Sequence, residues 1–329
     1  MVLFGEPRPT MDTGACALEA RADGKRMNWQ TMTASLFARL TIKQMMRRDV
    51  SVEAMRRAIG ALERVFPRRP ADCEVTHDHP LPECDAEWVR PRAAPGDRVL
   101  LHFPGGAYVV RFPNFERALV GRICCAAHAR GRLVFYRLAP EHPFPAGHED
   151  GIAAYRQLLD LGVAPDRILL SGLSAGGGLA LGVLLAIRDR GWPLPAGLVA
   201  MSPLTDLTDT HQESSRVTNA RRDAVLSLEH GQELREMYVG GNAELYSHPY
   251  VSPVFGDYHG APPVLFQVGS TEVMLDDSRH AAERIRATGG NAEVEVWEGM
   301  PHGWQAMPFL PDAALAVERI ADFMRMRAP

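Results

Sequence analysis

Three short stretches of this chain carry side chains that can act together on a carbonyl carbon. The first is Gly172-Leu173-Ser174-Ala175-Gly176, a Gly-x-Ser-x-Gly pattern that follows the strand-like run Arg167 to Leu170 and opens a helix of small residues. On so tight a strand-to-helix turn the serine takes a strained backbone conformation, and the flanking glycines remove side chains that would collide there. Its hydroxyl projects above the sheet, with a helix N-terminus behind it that favours negative charge. Ser174 is the candidate nucleophile. The second stretch, Met300-Pro301-His302-Gly303-Trp304, lies just after the last strand-like run. His302 can take the serine proton and pass it to a leaving group, provided a carboxylate holds its ring in the right tautomer. The third, Gly269 to Asp277, offers Glu272, Asp276 and Asp277 as that carboxylate. The chain order serine, acid, histidine is one in which such triads occur.

Attack by serine turns a carbonyl oxygen into an anion, and one amide donor aimed at that anion contributes about 3 to 4 kcal/mol. Phe103-Pro104-Gly105-Gly106-Ala107-Tyr108 supplies candidate amides at Gly105, Gly106 and Ala107, and Ala175 supplies another beside the nucleophile. Tyr108 and Trp304 adjoin these loops and are expected to line a substrate pocket. The histidines lack paired metal-ligand spacing, so neither a metal nor a cofactor is expected.

The elements that must hold these groups are legible as alternating runs. Strands are expected at 72 to 78, 86 to 91, 98 to 103, 132 to 137, 167 to 171, 197 to 201, 263 to 268 and 293 to 298. Helices are expected near 114 to 129, 149 to 161, 175 to 189, 277 to 288 and 311 to 326. Runs such as Val99-Leu100-Leu101 and Arg167-Ile168-Leu169-Leu170 are continuous and not alternating, as expected where helices cover both faces of a mostly parallel, doubly wound sheet. About sixty residues separate the sixth strand from the seventh, too many for a structureless loop. They are expected to form a cap insertion at about 205 to 258, with a helix around 227 to 238. Upstream, Leu36, Phe37 and Leu40, then Met55, Ile59, Leu62 and Phe66, recur at helical steps and predict two helices with buried apolar faces. Ser51 with Glu53 marks the start of the second. Met32, Met45, Met46 and Met55 on these helices fit either adaptable core packing or a lid over an apolar site. The expected organisation is an N-terminal helical cap segment over 1–70, after an irregular stretch to about 27, and a catalytic domain over 71–329.

The chain resembles the hormone-sensitive lipase-like, or bacterial class IV, esterases over most of residues 70 to 328. The resemblance rests on Gly105-Gly106-Ala107-Tyr108, on Tyr136-Arg137-Leu138-Ala139-Pro140-Glu141-His142-Pro143-Phe144-Pro145-Ala146, and on the serine turn with its extra Gly177. It implies an α/β-hydrolase fold with a helical cap, and serine-dependent cleavage of short or medium acyl esters through an acyl-enzyme. It implies His302 as the base. The family's D-x-L-x-D pattern sets Glu272 at its first acidic position and Asp276 at its second, making Glu272 the expected acid and Asp276 the alternative. Two positions depart from the family: Pro104 stands where its histidine opens the oxyanion motif, and Leu173 stands where it carries aspartate. The same fold and triad also serve amidases, lactonases and acyltransferases, and a receptor of this fold binds small molecules without turnover.

Composition narrows the partners. The net charge is −4, with basic residues spread along the chain, so no nucleic-acid surface is expected. Apolar residues at 46% and charged residues at 23% suit a globular core. The longest apolar run, Gly178 to Ile187, is too short to cross a bilayer. The first thirty residues lack the apolar core of a signal peptide. Five cysteines without metal-ligand spacing fit a reducing compartment, so a cytoplasmic protein is expected. The last strand, Glu293 to Trp297, is expected at a sheet edge where two copies can pair into a homodimer.

Overall fold

Parallel strands buried on both faces need helices on each side, and the architecture follows from that demand. The computed structural model describes residues 29–45, 50–65, 70–93, 96–208 and 214–329. Its strands are β1 (Cys73–Thr76), β2 (Asp85–Pro91), β3 (Arg98–Phe103), β4 (Ala129–Phe135), β5 (Ile168–Leu173), β6 (Gly197–Met201), β7 (Val264–Gly269) and β8 (Ala292–Trp297). Its helices are α1 (Trp29–Leu40), α2 (Ile42–Met45), α3 (Val52–Leu62), α4 (Pro113–Ala127), α5 (Ala146–Asp160), α6 (Ala175–Asp189), α7 (Ser215–Thr218), α8 (Leu228–Tyr238), α9 (Leu275–Ala287) and α10 (Pro311–Arg327). The strands form one eight-stranded sheet in the order β1-β2-β4-β3-β5-β6-β7-β8. Only β2 runs against its neighbours; from β4 to β8 the pairing is parallel.

Side-chain alternation divides the core into two layers. Ile168 and Leu170 of β5 pack with α5, α6 and α9, while Leu169 and Leu173 pack with α4 and α10. Helix α6 is buried from Ala175 to Ile187, as expected of a helix that is apolar all round. Strand β4 begins at Ala129, earlier than its β-branched residues indicate, because the ladder pairs Ala129 to Gly131 with Arg98 to Leu100. Register within the sheet overrides the weak strand preference of Ala-Arg-Gly.

The N-terminal helices divide. Helix α3 behaves as its period requires: Ser51 accepts from the Ala54 amide, and Met55 and Ile59 are buried against Val109, Val110 and Leu234. Helix α1 does not. Leu36, Phe37 and Leu40 are exposed, and Thr31, Ala34 and Ala38 are the buried residues. The small side chains of Ala34 and Ala38 permit close approach to Met307 and Val225, so the helix packs through that face. Met32 is exposed, Met45 packs beside the α3 core and Met55 lies within it. Residues 1 to 27, Met46 and Phe66 lie outside the described residues.

Candidate active site

The turn after β5 has the geometry its glycines foretell. Ser174 sits at φ 57°, ψ −123°, a backbone conformation rare for a residue with a Cβ. A Cβ at Gly172 would lie 2.1 Å from the Gly176 carbonyl oxygen, and one at Gly176 would lie 2.0 Å from that of Phe103. Only glycine fits either place. Ser174 holds its turn by donating its amide to Met201 O at 2.8 Å and by accepting from the Gly177 amide at 2.9 Å.

His302 is carried by the loop after β8, beside the β5 turn: a Cβ at Gly303 would lie 3.8 Å from a Leu173 methyl. Its Nδ1 meets Glu272 Oε2 at 2.8 Å. Glu272 follows β7 and is wholly buried; its other oxygen accepts from the Gly269 amide at 2.6 Å and from Ser202 Oγ at 2.8 Å. Burial raises the Glu272 carboxyl above its usual value, opposed by the His302 bond and the Gly269 amide. Burial also opposes a charged His302, but the hydrogen bond and charge of Glu272, with the charge of Asp223, outweigh it and raise the ring above the ordinary imidazole value. Asp276, the alternative acid, is engaged elsewhere: it accepts from the Ser215 amide at 2.7 Å and from Arg279 at 3.2 Å. Asp277 accepts from the Thr205 and Asp206 amides and pairs with Arg216.

Ser174 and His302 open into one cavity of about 200 Å³ that Gly105, Gly106 and Ala107 also line. Gly106, Ala107 and Tyr108 all have positive φ, at 131°, 52° and 64°. Among the described residues none accepts from the amides of Gly106 or Ala107, and Ala175 is the first residue of α6, where amides lack helical partners. Gly105 departs from expectation. Its amide donates to Glu116 Oε1 at 2.8 Å and is not free for a substrate oxygen.

The two aromatic residues expected at the pocket are corrected as well. Tyr108 is buried and stacked on Tyr238, ring centroids 3.7 Å apart, and does not line the cavity. Trp304 is wholly buried against Trp297, Met307 and Leu310. In both cases the loop turns the ring into the core, where a large apolar surface is better buried than left at an opening. The cavity is instead walled by Leu173, Val110, Phe112 and Phe115 below and by Phe37, Ile42, Val225 and Leu226 from α1, α2 and the segment before α8. Ser202 steadies Glu272, and Asp223, which sequence reasoning overlooked, receives the Val225, Leu226 and Val273 amides and so ties the cavity wall to the Glu272 loop. Ser202 follows a strand in the stretch Ser202 to Asp206, and that adjacency was the available signal. Nothing local marks Asp223.

Among the described residues no group of histidine, cysteine and acidic side chains is arranged to hold a metal ion, and no helix is long and apolar enough to cross a membrane.

Comparison with known proteins follows the same lines. The family profile described as the alpha/beta hydrolase fold matches residues 100–306. An acetyl-hydrolase of Streptomyces hygroscopicus is 41% identical over 243 residues, covering 74% of this chain and 80% of its own. An esterase of Acinetobacter venetianus is 32% identical over 298 residues, covering 90% and 96% respectively. Among solved structures, an esterase of the bacterial hormone-sensitive lipase family superposes with a TM-score of 0.84 at 35% identity, covering 92% of this chain and 100% of that one.

Proposed function

The chain belongs to the α/β-hydrolase family as a carboxylic ester hydrolase of the hormone-sensitive lipase-like kind, and we propose that Ser174, His302 and Glu272 carry out its reaction. Ser174 Oγ attacks the ester carbonyl while His302 Nε2 takes its proton. Glu272 accepts the hydrogen bond from Nδ1–H, which sets the tautomer, and stabilises the imidazolium that forms. The amides of Gly106, Ala107 and Ala175 receive the oxyanion. His302 then returns the proton to the departing alcohol, leaving an acyl-enzyme that water cleaves by the same steps.

The observation that carries this assignment is the 2.8 Å His302–Glu272 bond on the cavity that also holds Ser174 and the Gly106 and Ala107 amides. The apolar walls, Leu173 included, support short or medium acyl esters as substrates. Cavity-lining residues on α1 and between 204 and 226 support residues 1–70 and about 205–258 as two parts of a cap over the 71–329 domain. The described cysteines are free thiols, which supports a cytoplasmic setting. Strand β8 is the outermost strand of its side of the sheet, which supports a homodimer through that edge; a concentration-independent monomer mass in light scattering would exclude it.

The test is turnover of p-nitrophenyl acetate, butyrate and octanoate by the parent and by Ser174→Ala, with a fluorophosphonate probe to label the nucleophile. Ser174→Ala is expected to lose roughly 10⁴-fold or more in kcat and all labelling. Equal rates in the two proteins overturn the assignment.

A further inference from the structure

The loop Pro104 to Ala107 has no polar side chain with which to tie itself down, yet Ala107 and Tyr108 are held at positive φ. For residues with a Cβ that conformation costs on the order of 1–3 kcal/mol and persists only where the surroundings over-determine it. The surroundings here are a buried polar chain. Ser171 Oγ meets His102 Nδ1 at 2.8 Å, His102 Nε2 meets Glu116 Oε2 at 2.9 Å, and Glu116 Oε1 accepts from the Gly105 amide at 2.8 Å. A His102 tautomer with its proton on Nε2 satisfies both of its bonds, donating to Glu116 and accepting from Ser171.

We propose that Glu116, fixed by His102, is the positioning residue of the oxyanion loop, holding the Gly105 amide so that the next two amides face the reacting carbonyl. The proposal rests on the assignment of Ser174 as nucleophile. Three features carry it. His102 and Ser171 are paired residues of the neighbouring strands β3 and β5, so the chain indexes the loop to the strand that leads into Ser174, three residues on. Glu116 sits in the first turn of α4, where a carboxylate is favoured, and that turn is itself fixed by Glu63, which accepts from the Asn114 and Phe115 amides. Both Glu116 and His102 are essentially inaccessible to solvent, so each must keep its partner; an unpaired charge there is strongly destabilising. The loop's other ties are weaker in kind. Tyr136 Oη donates to Pro104 O at 2.9 Å, and the Val109 and Val110 amides donate to Gly106 O at 3.0 Å. None of these involves a charged group or reaches the nucleophile's strand. Glu116 thus supplies from α4 the anchoring that Pro104, which has neither an amide proton nor a polar side chain, cannot give.

The experiment uses the full chain and Glu116→Ala, Glu116→Gln, His102→Asn and Ser174→Ala. It measures kcat and KM on p-nitrophenyl butyrate, the inhibition constant of a trifluoromethyl ketone whose serine adduct places an oxyanion in the hole, and the melting temperature. Glu116→Ala is expected to lower kcat by about 10²-fold or more, leave KM within about threefold, and weaken the ketone by the same factor as kcat/KM. Glu116→Gln keeps an acceptor for the Gly105 amide and is expected to recover about tenfold or more of that loss. A folded Glu116→Ala with parental kcat and ketone affinity overturns the proposal. So does a glutamine variant no better than alanine. If Glu116→Ala does not fold, His102→Asn decides: a lower kcat at unchanged KM supports positioning, and a parental kcat defeats it. An inactive Ser174→Ala beside an unimpaired Glu116→Ala sinks only the positioning role, whereas an active Ser174→Ala sinks the nucleophile assignment beneath it.

Discussion

The cavity has two unlike sides. Its floor hangs from the ends of β3, β5 and β7 and the loop after β8, and the carboxylates there are buried and bonded: Glu272 to three donors, Glu116 to two. Its roof is apolar, and its parts are clasped to one another by cation-to-carbonyl bonds. Arg39 of α1 donates to the carbonyls of Arg221 and Arg222, at 3.0 and 2.6 Å, and Lys43 of α2 donates to that of Asp223 at 2.7 Å. Strand ends inherit their positions from a hydrogen-bonded ladder, so chemistry that tolerates little displacement is built there. Van der Waals walls fix shape more loosely and can be exchanged residue by residue, which suits the choice of acyl group. Floor substitutions should therefore act on kcat and roof substitutions on KM.

The hardest trial of that contrast is Glu272→Gln, which keeps the shape of the floor and removes the charge behind His302. We expect kcat to fall about 10³- to 10⁴-fold at neutral pH with KM little changed. The same variant tests the pH dependence. Only neutral His302 can take the serine proton, so activity is lost as pH falls through the ring's pKa. Because Glu272 raises that pKa, the acid limb of kcat/KM in the parent should lie above the ordinary imidazole value and move to lower pH in Glu272→Gln. An acid limb that stays in place would break the link between the two residues.

Met55→Ala probes what supports the oxyanion loop from behind. Its side chain is fully buried with Val109 and Val110, and its loss should destabilise the fold by about 2–5 kcal/mol in denaturant titration. On the roof, Phe37→Ala should raise KM for the octanoate ester several-fold, by about 1 kcal/mol, and leave the acetate nearly unchanged. A fall in kcat instead would show that α1 reaches the chemistry. The smallest effect is expected for Asp276→Asn, within about threefold in kcat, since that side chain serves Ser215 and Arg279. A loss comparable to that of Glu272→Gln would exchange the two acids.

Local sequence carried the floor's outline because its demands are local. The turn at Ser174 requires glycine at 172 and 176, the buried strands read as continuous apolar runs, and the proposed acid and base follow the strands that present them. The eight strands and the five helices packed on the sheet accordingly lie within a few residues of expectation. Helix α1 was legible as a helix but not in its orientation. A period of 3.6 says that one face is apolar; it does not say whether that face or the small-residue face at Ala34 and Ala38 meets the protein.

What only the tertiary structure decided are the partnerships between distant residues. The His302 bond to Glu272 and not to Asp276, the loss of the Gly105 amide to Glu116, the inward turn of Tyr108 and Trp304, and the bonds of Ser202 and Asp223 all depend on which residues of separate segments come into contact. Motif and period report what each segment needs for itself. A buried polar group needs a partner from somewhere else in the chain, and its identity is set only when the sheet has closed.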